Sequence, residues 1–436
     1  MRTMQSAVKL RGWVQAVVAV ALVSVIAACG GGGGGDSGSS NNSSSVLNGG
    51  SLPASPTQQP IAATAANTVP ITVARGVSGV INIPTVSVTV CAPGSSTNCQ
   101  TIDNIQLDTG SFGLRVVSSV LNQSVLGALP VNTIGTSNAQ LAECATFADG
   151  YTWGTVRNAT VAILNPTAGI GGETTATGIP IQIIGDLASS TVPAKGCTGV
   201  AENTVSDLGA NGILGIGTAP NDCGVNCENV NFSNYFACPG GSSCTPTALA
   251  PAQQVANPVA HFATDNNGVI VQMPPVSNTG ASSATGTLVF GIGTQSNNAL
   301  AATQTFTTDP FGNMANSVFN GTTMQAFFDS GSNAYFFADS SLAKCGSNFA
   351  GFYCPSSAQT RSITLGGLSS TRASVSIGIL SASTLFGNTS NYAFNDLAGQ
   401  IGSSSFDLGL PFFYGRHVYY GIDQTLSGGQ APYVGF

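Results

Sequence analysis

Two short stretches decide how this chain reads: Gln106-Leu107-Asp108-Thr109-Gly110-Ser111 and, in the other half, Phe327-Phe328-Asp329-Ser330-Gly331-Ser332. Each is an apolar run that ends in Asp-(Thr/Ser)-Gly-Ser. Each is followed by a later apolar-Gly segment, Gly212-Ile213-Leu214-Gly215 after the first and Phe406-Asp407-Leu408-Gly409 after the second. One such tetrapeptide is a weak signal, but two in corresponding places mark an internal repeat. The chemistry gives each position a purpose. Two carboxyls sharing one proton can activate a water and polarise a carbonyl together, because the ionised one accepts a proton while the neutral one donates. Like charges that close cannot both ionise, so one pKa rises and the other falls. Gly110 and Gly331 let the backbone turn tightly and bring N–H groups to each carboxylate. The hydroxyls of Thr109 and Ser330 are expected to bond across to the opposite half, and those of Ser111 and Ser332 to orient their own Asp.

The surrounding sequence has an all-β texture. Only 7% of the residues are charged and 42% are hydrophobic, with 55 glycines. Val, Ile and Thr recur in short runs between Gly, Pro, Asn and Ser, as in a many-stranded protein. Period-two alternation predicts strands over 80–83, 86–90, 155–163, 268–273, 287–290 and 374–379. Short helices are expected near 118–121, 252–257 and 340–344. The 436 residues suffice for two lobes, each with its own core.

The N-terminus reads as an export signal. Arg2, Lys9 and Arg11 precede an apolar stretch that ends in Ile26-Ala27-Ala28-Cys29, which looks like a bacterial lipobox. The chain then divides into a lipoprotein signal peptide (1–28), a flexible Gly/Ser/Pro-rich tether (29–67), an N-terminal β lobe (68–250) and a C-terminal β lobe (251–436). Cys29 is the lipidation site, and Gly30 after it resembles outer-membrane sorting in Gram-negative bacteria. The expected location is therefore the cell envelope, anchored by lipid on the outer membrane. Gly35-Asp36-Ser37-Gly38 copies the nucleophile tetrapeptide of chymotrypsin-like enzymes, but a tether offers neither a rigid base nor an oxyanion hole.

Of eleven cysteines, ten remain once Cys29 is set aside, an even number that fits five disulfides in an oxidising compartment. Cys91 and Cys99 can close a local loop, as can Cys345 and Cys354. Cys144 and Cys197 are left as a long-range pair, and Cys223, Cys227, Cys238 and Cys244 form a cluster whose pairing stays open. The formal charge of −7 grows more negative when the basic signal peptide is removed, which argues against a nucleic-acid partner. His261 and His417 stand far apart without a close Cys/His set, so no metal is expected. The order of glycines in 212–217 is wrong for a dinucleotide loop, and no cofactor is expected.

These pieces together resemble the pepsin-like aspartic peptidases, over most of residues 68 to 436. Asp108-Thr109-Gly110-Ser111 and Asp329-Ser330-Gly331-Ser332 match the two active-site loops of that family. Asn211-Gly212-Ile213-Leu214-Gly215-Ile216-Gly217 is close to its Asp-Gly-Ile-Leu-Gly-Leu-Gly, and the segment from Leu408 to Asp423 resembles its closing stretch. The resemblance implies a bilobal all-β fold with a cleft, and Asp108 and Asp329 as catalytic residues of a monomeric endopeptidase acting on a peptide or protein. It places 147–154 at the flap hairpin. The family's flap Tyr and its Trp partner are replaced by Phe147 and Arg115, while Tyr151 or Trp153 could take the role in a shifted hairpin. Arg115 near the cleft would favour an acidic substrate side chain; as a solvated strand-edge residue it would do nothing there. Asp407 stands where the family has an apolar residue, and its default role is a turn or cap. The missing Tyr and Trp also fit a catalytically silent scaffold that binds a peptide or an envelope protein in the same cleft.

Overall fold

The computed structural model describes residues 51–165, 170–194 and 196–436. The signal peptide, Cys29 and Gly35-Asp36-Ser37-Gly38 lie outside the described residues. Almost all regular structure is strand, and the α-helices are single turns at Gln123–Leu126, Val205–Leu208 and Ala382–Leu385. Where the short helices were expected, the chain makes a 3-10 turn at Ser118–Val120, separate 3-10 turns opened by Pro251 and Pro258, and no helix over 340–344. The strands expected at 86–90, 155–163, 268–273, 287–290 and 374–379 all form. That at 80–83 does not, because Asn82 takes φ +50°, a conformation no strand tolerates.

Both halves are built around the same ladder. The strand Cys99–Asp108 runs parallel to Gly212–Ile216, which also pairs antiparallel with Phe112–Val117. In the second half Thr322–Asp329 runs parallel to Ser405–Gly409, which pairs antiparallel with Tyr335–Phe336. Each apolar-Gly strand is thus inserted between the two strands that flank an Asp loop. In register, Gly215 faces Asp108 and Gly409 faces Asp329. A Cβ at Gly215 would lie 2.5 Å from Phe112 N, and one at Gly409 would strike Ala334 O, so the close ladder requires glycine at both places.

The larger of the two sheets, which holds the first half's ladder, extends through an antiparallel run that joins the lobes. Thr68–Val73 pairs with Ala284–Phe290, which continues through Gly268–Met273, Arg416–Gly421 and Tyr433–Gly435 to Thr305–Thr307. The expected boundary between residues 250 and 251 therefore does not separate the two halves: the first strand, Thr68–Val73, pairs with Pro84–Cys91 of the first half on one edge and with Ala284–Phe290 of the second on the other. One apolar core runs through these layers, from Leu107, Val116 and Leu214 to Phe328, Phe406 and Phe412. Stacked rings at Phe328–Phe412 and Phe337–Phe406, each 4.6 Å between centroids, fill its second-half side. The five disulfides are Cys91–Cys99, Cys144–Cys197, Cys223–Cys227, Cys238–Cys244 and Cys345–Cys354. The three pairs expected from spacing form, and the open cluster closes within itself.

The tether is shorter than expected. Residues 51–67 lie along the second half: Thr360 Oγ1 donates to Ser51 O (2.7 Å), Gln58 N to Gly415 O (3.0 Å) and Ile61 N to Gln272 Oε1 (2.9 Å), while Thr287 Oγ1 donates to Ile61 O (2.6 Å). Pro53, Pro56 and Pro60 lower the entropy lost when this segment is laid down. Beneath it Asp396 is 5% exposed, crowded by Gly378, with Oδ2 unpartnered. Burial pushes its carboxyl up to about 7. Folding holds this proton more tightly than the unfolded chain does, so the stability it brings is full below the ordinary value of 3.8 and is lost as pH rises through about 7. Thermal denaturation across that window should show a decline of roughly 4 kcal/mol from this group, and Asp396→Asn should remove that part of the slope.

Candidate active site

The two Asp loops meet face to face. Ser330 N donates to Thr109 Oγ1 (2.8 Å) and Thr109 N to Ser330 Oγ (3.1 Å), so each loop caps the other's backbone. The hydroxyls pass onward, Ser330 Oγ–H to Leu107 O (2.8 Å) and Thr109 Oγ1–H to Phe328 O (3.4 Å). Within each loop the glycine amide returns to its own aspartate: Gly110 N to Asp108 Oδ1 at 2.9 Å, Gly331 N to Asp329 Oδ1 at 2.8 Å. Each glycine also lies over the opposite carboxyl. A Cβ on Gly110 would sit 2.6 Å from Asp329 Cγ, and one on Gly331 would sit 2.5 Å from Asp108 Oδ1 and 3.0 Å from Asp329 Oδ1. Both carboxyl oxygens thus converge on one point, and the only side chain that leaves them room is a hydrogen.

Asp108 is 3% exposed and Asp329 not at all. Burial pushes the Asp329 carboxyl well above the usual carboxylate range, and the Asp108 and Asp407 carboxyls push it further, against the lowering effect of Ser332. Ser332 Oγ donates to Asp329 Oδ2 at 2.8 Å, as expected. Ser111 does not do the same: its buried hydroxyl has no hydrogen-bond partner. The pair is symmetric in its backbone and asymmetric in its side-chain support.

Three supporting residues were given no role by the sequence. Gln106 Nε2 donates to Gly331 O (2.9 Å), and Tyr420 O–H to Phe328 O (3.1 Å) from below the loops. Asn82 is fully buried and donates to both Asn333 O (2.8 Å) and Phe394 O (2.9 Å), while Phe394 N and Tyr414 O–H donate to its Oδ1. Its left-handed backbone aims that amide at the residue just after Ser332. Beside it an open groove of about 1050 Å³ is lined from both halves, by Ile81, Ser119 and Thr204 on one side and Phe349, Phe386 and Tyr392 on the other.

The remaining expected cleft residues lie elsewhere. Arg115 is fully buried and belongs to neither a cleft wall nor a solvated edge. Its Nη2 pairs with Glu143 Oε1 (2.6 Å) and Asp222 Oδ2 (3.2 Å), and Nη1 donates to Phe112 O (2.8 Å). Tyr235 O–H completes the cluster on Asp222 Oδ1 (2.6 Å). Burial drives Glu143 well above its ordinary value, and Asp222 adds to the rise, so a single cation does not have to balance two anions. Trp153 is also fully buried, its ring against Phe236 and its Nε1–H on Thr191 Oγ1 (3.0 Å). Phe147 packs with Val117, Ile184, Leu208 and Ile213 at the turn of the hairpin. Tyr151 alone keeps partial exposure. The hairpin is tied down by a short parallel strand, Val200–Ala201 on Gly150 and Tyr151, by Trp153 N on Asn203 Oδ1 (2.7 Å) and by Cys144–Cys197.

Fold and site define an all-β, two-lobed protein with one aspartate from each lobe in a shared, desolvated pocket. The chain belongs to the family described as "Protein of unknown function (DUF3443)", which matches residues 63–436. Among solved structures it is similar to an aspartic proteinase from Irpex lacteus, with 16% identity and a TM-score of 0.42 over 85% of this chain and 97% of that one. No curated protein matches it. Arg115→Met should cost about 3–5 kcal/mol in denaturant unfolding, since it strands buried carboxyls. It should leave any preference for acidic substrate side chains unchanged, because the guanidinium does not reach the cleft.

Proposed function

We propose that this protein is an aspartic-type endopeptidase, a hydrolase that splits peptide bonds with water activated between Asp108 and Asp329. The observation that carries this reading is the reciprocal seating of two buried carboxyls, each under the glycine of the other's loop. A desolvated pair of carboxyls is strongly disfavoured unless it holds a proton, and one shared proton supplies both an acid and a base. The raised Asp329 is the acid and donates to the carbonyl oxygen. Asp108 takes a proton from water as the water attacks, and no covalent intermediate forms. A groove lined by both halves, though by neither Asp loop, has room for an extended chain, and its residues are uncharged apart from Arg75. An acid-leaning optimum follows, because the pair must keep one proton.

A second reading has its own observation. With Phe147 in the core and the hairpin bound to Val200–Ala201, the element that would close over a substrate is held down, as suits a scaffold that binds a peptide or an envelope protein without cutting it. Cleavage of a mixed synthetic peptide library, followed from pH 3 to 8, separates the two. The peptidase reading expects cuts that fall by about a thousandfold or more in Asp108→Asn and in Asp329→Asn and that a pepstatin-type inhibitor blocks. Equal cutting in wild type and both variants sinks the mechanism, and peptide binding without cutting leaves the scaffold. The lipobox supports an envelope lipoprotein; labelling with a radioactive fatty acid in cells should mark the wild type and not Cys29→Ser.

A further inference from the structure

The two halves differ at one ladder position. In the first, Ile213 stands opposite Gln106, two residues before the Gly215 that faces Asp108. In the second, the equivalent residue is Asp407, opposite Phe327 and two before the Gly409 that faces Asp329. Side chains two apart on a strand share a face, so Asp407 projects on the same side of the sheet as Asp329. It is 1% exposed, its Oδ1 has no partner, and it makes no salt bridge among the described residues. The expected turn or cap role is therefore corrected: Asp407 lies inside a strand, beside the carboxyl pair. The Ser332 hydroxyl, whose one proton goes to Asp329 Oδ2, also lies near enough to the Asp407 carboxyl to favour its ionised form. The titratable groups facing it are Asp329 from the adjacent strand, Asp108 from the opposite loop and Tyr420 from below. From the strand on its other side the neighbour in register is Phe336. Among the described residues no cation forms an ion pair with any of the three acids.

We propose, resting on the dyad reading above, that Asp407 is a positioning residue that shares protons with the pair through Ser332, making the site a three-carboxyl unit. When protonated, Asp407 donates to Ser332 Oγ while Ser332 donates to Asp329 Oδ2. Moving the first proton onto Ser332 as the second leaves for Asp329 transfers one proton between the acids with no change in total charge. Three acids sharing one desolvated site cannot all ionise, so the unit keeps its last proton to a higher pH than two acids would. Burial pushes Asp407 upward most, Ser332 opposes the rise and the Asp108 charge adds to it, and the net rise is in keeping with a neutral resting form. The consequence is an active form that survives further into neutral pH than an isolated pair allows.

The test is a titration of the full chain labelled with 13C at aspartate Cγ, read alongside the pH profile of peptide cleavage. In the wild type, Asp329 and Asp407 should inflect together over a common pH range. In Asp407→Asn, which keeps size and a donor for Ser332, Asp329 should lose its last proton about one pH unit lower, and the alkaline limb of cleavage should move down with it. In Ser332→Ala, adding Asp407→Asn should produce at most half that shift. Should Asp329 titrate alike in wild type and Asp407→Asn, the inference falls; independent inflections of Asp329 and Asp407 in the wild type overturn it without any variant. A coupled titration in a protein that cuts no peptide sustains the three-carboxyl unit and removes the peptidase reading instead.

Discussion

The crossed bonds between Thr109 and Ser330 are what the rest of the site depends on. Two carboxyls in a region closed to water repel each other and lose hydration, so nothing about them favours the approach. The exchange of backbone N–H and side-chain hydroxyl between the loops supplies the opposing attraction. It also satisfies buried donors that would otherwise be orphaned when the lobes close. Behind it, each loop is gripped by a strand inserted on both sides of it, and the joining sheet carries Tyr420 up against the same backbone.

Around that symmetric clasp the lobes are unequal. The first puts Ile213 and an unpartnered Ser111 beside its aspartate; the second puts Asp407 and a bonded Ser332 there. Only one half therefore tunes its carboxyl through side chains. The first lobe spends its polar residues away from the cleft, in the Arg115–Glu143–Asp222–Tyr235 cluster, which fixes the strands behind the loop rather than anything a ligand would touch. The hairpin at 147–154 is tied down, and the groove is lined on the first-half side by the 75–81 loop, next to the buried Asn82.

The two Asp loops, the strand texture and the short disulfide loops Cys91–Cys99 and Cys345–Cys354 were legible because each is local. An Asp-x-Gly-Ser turn, a period of two, or cysteines a few residues apart impose their geometry on the nearest neighbours. The strand expected at 80–83 failed because alternation there is a pattern of residue types, while the conformation is set by a buried amide that bonds residues far along the chain. Asp407 and Arg115 misled for a related reason. A charged residue in an apolar stretch reads as exposed, and only its neighbours in space show whether other acids or an ion pair will receive it.

By itself, then, the amino-acid sequence determined that this is a many-stranded, disulfide-bonded protein with a repeated aspartate loop, since those features follow from residue type and spacing. The tertiary structure alone decided that the first strand joins the two halves, that residues 51–67 are laid against the surface, and that a third carboxyl stands beside the pair. Each of these rests on contacts between segments far apart in the chain, and the free energy of burying a charge is set by whatever such contacts bring next to it.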